Sequence, residues 1–218
     1  MQKTNGGDLI MKIAKKFMLL LLIFTIPLSM TSCKNVRVED IHTISIINCE
    51  MEDYDDAIAD VEYASEFMPA LSDLSEYTNI SYSYKDTISG LILLLPMFEI
   101  CGITLFVEYS EDIYEQKKAE TLAKYEFISE ETYEYYEHLQ APLPQFEYKG
   151  YTFQADTNEE KTGDALKSFV LVGYNDETNK IAFCYFYDFD IDLWPVEGDY
   201  ITAMRQFMDE NFYWNDVE

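Results

Sequence analysis

The chain predicts an α+β fold, with an antiparallel sheet built largely from hairpins and helices packed on one side. Segments with strand-like patterns follow one another with short polar turns between them, while helix-like segments stand apart from them. Hydrophobic residues make up 48% of the chain and aromatic residues 16%. This composition supplies a sizeable core and excludes a disordered chain despite the high charge.

The first predicted elements lie between residues 41 and 87. Residues 41–48 fit either a strand or a helix. Residues 53–68 predict a helix, because apolar side chains recur at helical spacing and Pro69 ends the pattern. Residues 79–87 alternate apolar and polar side chains, which indicates a half-buried strand.

A second apolar run covers residues 88–107. Its length alone would allow it to cross a membrane, and that alternative stays open. Gly90, Pro96, Glu99 and Gly102 interrupt the run, however. Two buried strands joined near Pro96 are therefore favoured.

The middle of the chain predicts two helices and a hairpin. Ser110 is a suitable N-cap for a helix over residues 111–125, and residues 129–140 form a possible short helix. Residues 145–154 predict a hairpin around Lys149–Gly150, because glycine tolerates a positive φ.

The last elements are two strands and a helix. Residues 168–174 and 180–189 flank a polar turn, and their near-continuous hydrophobicity indicates strands covered on both faces. The final helix is predicted over residues 200–212, with its inward side formed by Ile201, Met204, Met208 and Phe212.

The start of the chain has the pattern of an export signal. Lys12, Lys15 and Lys16 precede an apolar run of 12 residues, 17–28, and Cys33 follows shortly after it. Such a run is too short to span a bilayer as a helix, which needs about 20 residues. A basic segment followed by a short apolar one is typical of a secretory signal peptide.

The motif Met30-Thr31-Ser32-Cys33 resembles the lipobox of bacterial lipoproteins, and this resemblance covers residues 11 to about 36. Beyond them the chain resembles uncharacterised lipoproteins of Gram-positive bacteria only in a general way, and no family of known activity is indicated. The resemblance implies cleavage before Cys33 and attachment of diacylglycerol to its sulfur, with acyl chains such as palmitate. It implies a protein anchored by lipid to the cell membrane on its extracytoplasmic face. An ordinary signal peptide with an incidental cysteine is the alternative.

The expected organisation has three parts. Residues 1–32 form a lipoprotein signal peptide, residues 33–40 a lipidated tether, and residues 41–218 a single globular α+β domain. Removing residues 1–32 leaves 11 basic and 40 acidic side chains, a formal charge of −29. Such an acidic protein lacks the basic surface that nucleic-acid binding requires and repels anionic headgroups.

The remaining cysteines do not predict a disulfide scaffold. Cys49, Cys101 and Cys184 are odd in number and have no paired spacing. Cys101 and Cys184 lie in apolar runs, where a thiol is typically a small buried hydrophobe. One internal disulfide stays possible in an exported chain.

Motifs for catalysis are absent from the sequence. Closely spaced glycines for phosphate binding, a zinc-ligand cluster and the common hydrolase motifs are all missing. Cys49 with His42 or His138 would be a nucleophile–base pair without any local signature. The abundance of acids makes a carboxylate pair expected by chance, so it decides nothing.

The segment Tyr187–Trp194 contains three alternating aspartates, Asp188, Asp190 and Asp192. In a strand they would share one face with Phe186, which would have to be solvated or neutralised. As an EF-hand loop the segment fails, because Leu193 stands where glycine is needed. A looser calcium site is the second possibility, and no other cofactor is expected.

Exposed tyrosines beside carboxylates would also suit a sugar ligand. The candidates are Tyr82, Tyr84, Tyr133, Tyr135 and Tyr136. Tyrosine is equally common in the packing of sheets and helix edges, with its ring buried and its hydroxyl wet. The pattern alone leaves both interpretations open.

The sequence therefore favours a non-catalytic, lipid-anchored extracytoplasmic domain that binds a surface protein, a wall polymer or a small ligand. Two alternatives remain. One is an accessory or sensor subunit of a membrane complex, and the other is a carboxylate-dependent, glycosidase-like hydrolase.

Overall fold

A computed structural model describes seven stretches of the chain: residues 35–40, 43–61, 63–89, 98–129, 144–157, 168–188 and 200–214. All of them belong to one compact unit within Cys33–Glu218. Residues 1–34, and residues 130–140 of the helix expected over 129–140, lie outside the described part of the chain, so the predictions made for them stay predictions.

Eight strands form one sheet in this part of the chain. They are β1 (Asn35–Asp40), β2 (Thr43–Asn48), β3 (Tyr77–Ser89), β4 (Phe98–Tyr109), β5 (Gln145–Tyr148), β6 (Tyr151–Thr157), β7 (Ser168–Asn175) and β8 (Lys180–Asp188). Four described α-helices accompany them, namely α1 (Tyr54–Asp60), α2 (Ala64–Phe67), α3 (Glu111–Leu122) and α4 (Tyr200–Asn211), with short 3-10 turns at Met51–Asp53 and Leu71–Asp73.

The sheet is antiparallel throughout and runs in the order β1-β2-β3-β4-β8-β7-β6-β5. It consists of two four-stranded meanders, β1–β4 and β5–β8, whose last strands lie side by side with Thr104 opposite Cys184. The antiparallel sheet with accompanying helices is thus confirmed, and neighbours in sequence pair as expected of hairpins and meanders.

One face of the sheet is covered by α1, α2 and α3. Alternate residues of β8 pack there, together with side chains from all three helices: Ile181, Phe183, Tyr185, Tyr54, Ile58, Ala64 and Tyr114. This is named the α1–α3 face. Tyr54 and Tyr82 meet on it edge to face, with their ring centroids 5.3 Å apart.

The opposite face is covered by α4. The intervening residues of β8 point to it and pack against the helix: Ala182, Cys184, Phe186, Met204, Phe207, Met208 and Phe212. This is named the α4 face. The expectation of helices on one side is therefore wrong for the described helices, because β7 and β8 are apolar on both faces and each face needs cover.

The carboxyl end of α4 sits directly on β3 and β4. A Cβ on Gly102 would overlap the carbonyl oxygen of Asn211, so the glycine permits the close approach. Lys85 donates to the carbonyl of Glu210, and Ser83 donates to that of Tyr213. A cation at this position also interacts favourably with the helix dipole.

The inward side of α4 is mostly as predicted. Met204, Met208 and Phe212 are buried, but Ile201 is 46% exposed and Phe207 is buried in the core. The prediction for Ile201 is wrong, because the first turn of the helix presents that position to solvent.

The amino-terminal part of the domain differs from expectation in two places. Residues 35–40 were expected to be a tether, yet they form the edge strand β1, paired with β2. The predicted helix over residues 53–68 is broken into α1 and α2, because Val61 is extended and Tyr63 takes a left-handed conformation with φ +61°.

The second apolar run contains strand residues rather than a helix. Within it, Ile88 and Ser89 end β3, and residues 98–107 belong to β4. Two strands are confirmed there, while the expected join near Pro96 lies outside the described residues. No helix among the described residues is long and apolar enough to cross a membrane.

Helix α3 begins at the predicted residue, but Ser110 does not make the predicted N-cap hydrogen bond. It starts at Glu111, immediately after Ser110, yet the Ser110 hydroxyl donates to the Asp112 carboxylate and makes no bond to a backbone N–H. Tyr114 is buried, and Leu122 and Tyr125 pack against the same core.

Candidate functional site

The β5–β6 hairpin ends in the predicted two-residue turn. Lys149 has φ +49° and Gly150 φ +81°, so both residues are left-handed, as a type I′ turn requires. Tyr148 and Tyr151 lie opposite each other and close the turn. Both rings are buried on the α4 face.

An open cleft of about 390 Å³ lies at this end of the hairpin. It is lined by six hairpin residues and one residue of α4: Glu147, Tyr148, Lys149, Gly150, Tyr151, Thr152 and Arg205. It is named the hairpin cleft. Its volume falls in the lower part of the range that small-molecule sites usually occupy, about 300–1,000 Å³.

Lys149 is held over aromatic rings at the edge of the cleft. Its Nζ lies 5.4 Å from the ring centroid of Tyr148 and 5.6 Å from that of Trp214. Both distances are within the range of cation–π attraction. A carboxylate oxygen of Asp209 lies 3.8 Å away, which makes an ion pair without a hydrogen bond.

Arg205 reaches from α4 to the edge strand β5. Its Nε donates to the carbonyl of Glu147 at 3.3 Å. Glu147 stands one position beyond the hydrogen-bonded pair that closes the turn, so its carbonyl points away from β6. Arg205 therefore contacts the β5 edge of the sheet beside the cleft.

Trp214 forms the aromatic wall behind Lys149. Its indole N–H donates to the carbonyl of Met208 at 3.1 Å, and its ring lies 5.0 Å from that of Tyr148. The Tyr148 hydroxyl donates to Asp209. Burial, helped by this hydrogen bond, raises the pKa of the Tyr148 phenol above its usual value. The phenol therefore stays neutral at physiological pH.

The residues that line the hairpin cleft are mostly polar or aromatic. They are two cationic residues, one carboxylate residue, two tyrosines, one threonine and one glycine. Among the described residues, no group of three His, Cys, Asp or Glu side chains is placed to hold a metal ion.

The predicted calcium ligands are only partly described. Asp188 ends β8 and is 6% exposed, on the same face as Cys184 and Phe186. A solvated carboxylate is therefore wrong at this residue, because the strand residues on this face are packed in the core. The alternative of a neutralised carboxylate stays open. Asp190 and Asp192 lie outside the described residues, and calcium binding stays a prediction.

The tyrosines proposed as a sugar platform are placed differently. Tyr82 is completely buried, so it offers no ring for stacking, and that prediction is wrong for it. Tyr84 packs partly against the same core, with its hydroxyl 3.5 Å from the Cys101 sulfur. Tyr133, Tyr135 and Tyr136 lie outside the described residues.

No disulfide bond joins the three described cysteines, Cys49, Cys101 and Cys184, to one another. Cys101 and Cys184 are buried, as predicted, and burial raises the pKa of the Cys184 thiol. A raised thiol pKa disfavours the reactive thiolate. His42 and His138, the possible partners of Cys49, and the expected lipid attachment at Cys33 lie outside the described residues.

Sequence reasoning located the turn of the hairpin but missed the cleft. Lys149 and Arg205 are far apart in the chain, and only the packing of α4 beside β5 brings them together. The available signal was a lysine at a turn position that usually holds Asn, Asp or Gly.

Comparisons of the chain with protein-family models, with curated proteins and with solved structures found no match.

Proposed function

We propose that this chain is a non-catalytic, lipid-anchored extracytoplasmic domain that binds its ligand or partner at the hairpin cleft. The observation that carries the proposal is the pair of cations at that cleft, Lys149 over two aromatic rings and Arg205 on the Glu147 carbonyl. Side chains already held in place lose less conformational entropy when a ligand arrives.

The anchoring half of the proposal rests on the lipobox-like residues Met30–Cys33. Strand β1 begins at Asn35, only two positions after Cys33. A lipid on Cys33 would therefore hold the β1 edge of the sheet beside the membrane, with almost no free linker.

The hairpin cleft lies on β5 and β6, at the other edge of the sheet. Seven strand spacings of about 4.8 Å separate β1 from β5, roughly 34 Å across the sheet. A domain anchored at one edge would thus offer its cleft at the edge farthest from the anchor, where a wall polymer or a second protein is within reach.

Replacing the lipidated residue tests the anchor. In the native cell, Cys33→Ala should move the protein from the membrane fraction to the medium or wall fraction, and it should also abolish labelling by a fatty-acid analogue. A protein that stays in the membrane fraction with Cys33→Ala would refute the anchor.

Removing the two cations tests the cleft. The mature chain with Cys33→Ser should sediment with cell-envelope fragments, and Lys149→Gln with Arg205→Gln should reduce that fraction by about tenfold if the pair contributes about 1.4 kcal/mol. Lys117→Gln with Lys118→Gln is the matched control, since it removes the same charge from α3. Equal loss in both variants would mean that binding depends on net charge rather than on the cleft.

A further inference from the structure

We infer that the hairpin cleft recognises an anionic group, a carboxylate or a phosphate, on a small ligand. This inference rests on the proposed binding function and names the chemistry of the ligand. The mature chain has 11 basic side chains against 40 acidic ones. Two of those 11, Lys149 and Arg205, line this one cleft, with Glu147 the single carboxylate among the lining residues.

Both cations keep hydrogen-bond donors for a ligand. The ammonium of Lys149 has three N–H groups, and within the described part of the chain its contacts are two rings and a carboxylate at 3.8 Å. Arg205 uses its Nε on the Glu147 carbonyl. Its terminal nitrogens carry four further N–H groups, in the planar arrangement that matches carboxylate and phosphate oxygens.

The two cations are also positioned before a ligand binds. Arg205 donates a hydrogen bond to the Glu147 carbonyl at the sheet edge, and the Nζ of Lys149 lies over the rings of Tyr148 and Trp214. Lys149 also occupies a left-handed turn position that favours Asn, Asp or Gly. The sequence thus places a cation where the turn itself does not favour one.

The other residues that line the cleft indicate what the uncharged part of the ligand could be. Tyr148, Tyr151 and Thr152 complete the lining, which therefore contains aromatic and hydroxyl-bearing residues beside the two cations. A volume of about 390 Å³ suits a body of the size of a monosaccharide. The ligand class is accordingly a small anion such as an acidic sugar or a polyol phosphate.

Trp214 is a built-in reporter, because Lys149 lies 5.6 Å from its ring. The chain has two tryptophans, so Trp194→Phe leaves Trp214 as the only one. The mature chain with Cys33→Ser and Trp194→Phe is titrated with sodium glucuronate and with glycerol 3-phosphate. Glucose and glycerol are the neutral probes, and ionic strength is kept constant with chloride.

A saturable change in Trp214 emission with at least one anion, and a much weaker change with its neutral analogue, is expected. Which anion responds identifies the carboxylate or the phosphate as the preferred group. Lys149→Gln with Arg205→Gln should weaken the affinity by about tenfold or more. Lys149→Arg should retain the binding, and Lys117→Gln with Lys118→Gln should leave it unchanged.

Two results would overturn the inference. One is the absence of a saturable response to both anions at tens of millimolar. The other is equal binding of the neutral probes, unaffected by Lys149→Gln with Arg205→Gln; this would leave a binding cleft in place and remove only its anion preference. Near-UV circular dichroism of each variant shows whether the fold is retained.

Discussion

At the scale of single residues, one carboxylate joins α3 to the turn between β7 and β8. Asp176 accepts hydrogen bonds from Lys118 at 2.6 Å and from the Tyr114 hydroxyl at 2.7 Å. Lys118 also lies 4.0 Å from the ring centroid of Tyr174. The bond from Lys118, followed by that from Tyr114, lowers the pKa of the Asp176 carboxyl.

This lowered pKa predicts a pH-dependent contribution to stability. The ionised carboxylate stabilises the folded state above the usual aspartate pKa of about 3.9, and the contribution is lost as the pH falls through the lower folded-state value. Asp176→Asn should cost about 0.5–1 kcal/mol at pH 7, since the side chain is half exposed and screened by water. Urea unfolding of both proteins across the acidic range should show the difference shrinking, and a difference that grows in acid would contradict the assignment.

Asp188, Asp190 and Asp192 carry the calcium prediction. A cation that binds only the folded protein raises its stability by mass action. If the three aspartates bind calcium, the melting temperature of the mature chain should rise at millimolar calcium relative to chelator, and Asp190→Asn should abolish the rise. An unchanged melt would remove calcium from the description of this protein.

The hairpin cleft shows why single residues of the site could not be predicted. Lys149 was recognisable from its place in a turn, but nothing local in the sequence marks Arg205 as its neighbour. The error at Tyr82 has a similar cause. Alternation in residues 79–87 indicates a half-buried strand, but only the packing of α1 shows that the Tyr82 ring is fully covered.

At the scale of elements, the strands with strong patterns were predictable and the edge strand was not. Alternation predicted β3, the Lys149–Gly150 turn predicted the β5–β6 hairpin, and dense apolar residues predicted β7 and β8. Strand β1 is a short edge strand with charged residues in its sequence. Because a short polar segment is also typical of a tether, the sequence did not indicate a strand there. The break at Tyr63 carries no glycine or asparagine that would indicate a left-handed residue.

The position of α4 on the second face of the sheet could have been predicted from the strands. Burial of β7 and β8 on both faces was predicted correctly, and it already requires a cover for each face. The expectation of helices on one side conflicted with that prediction. Periodicity identifies which side of a helix is apolar, but it does not state which face of a sheet the helix covers.

The turn of the hairpin offers a test at this scale. Gly150 has φ +81°, a conformation that costs other residues about 1–2 kcal/mol. Gly150→Ala should therefore lower the free energy of unfolding by about 1 kcal/mol and weaken binding at the hairpin cleft. Gly150→Asn is the matched control and should cost less, because asparagine tolerates this region; equal losses from both would argue against a type I′ turn.

At the scale of the whole molecule, acidity dominates the behaviour of the domain. The mature chain has a formal charge of −29. The ion pairs among the described residues each join one lysine to a carboxylate whose side chain is exposed to solvent. Exposed pairs contribute little to stability, whereas repulsion between like charges opposes the compact state. The fold is therefore held by its two apolar clusters, one on each face of the sheet.

This balance predicts the effect of salt. Sodium chloride screens the repulsion over distances longer than about 10 Å at 0.1 M, so the melting temperature of the mature chain should rise by a few degrees between low and moderate salt. Thermal melts followed by circular dichroism measure it. A melting temperature that falls as salt is added would mean that ion pairs outweigh the net repulsion.

Hydrogen–deuterium exchange of the mature chain, with and without cell-envelope fragments, would show directly which surface binds. We expect slower exchange in residues 145–152 and in the half of α4 that contains Arg205, and loss of this protection with Lys149→Gln and Arg205→Gln. Protection confined to α1–α3, with the hairpin unchanged, would contradict the assignment of the hairpin cleft as the binding site.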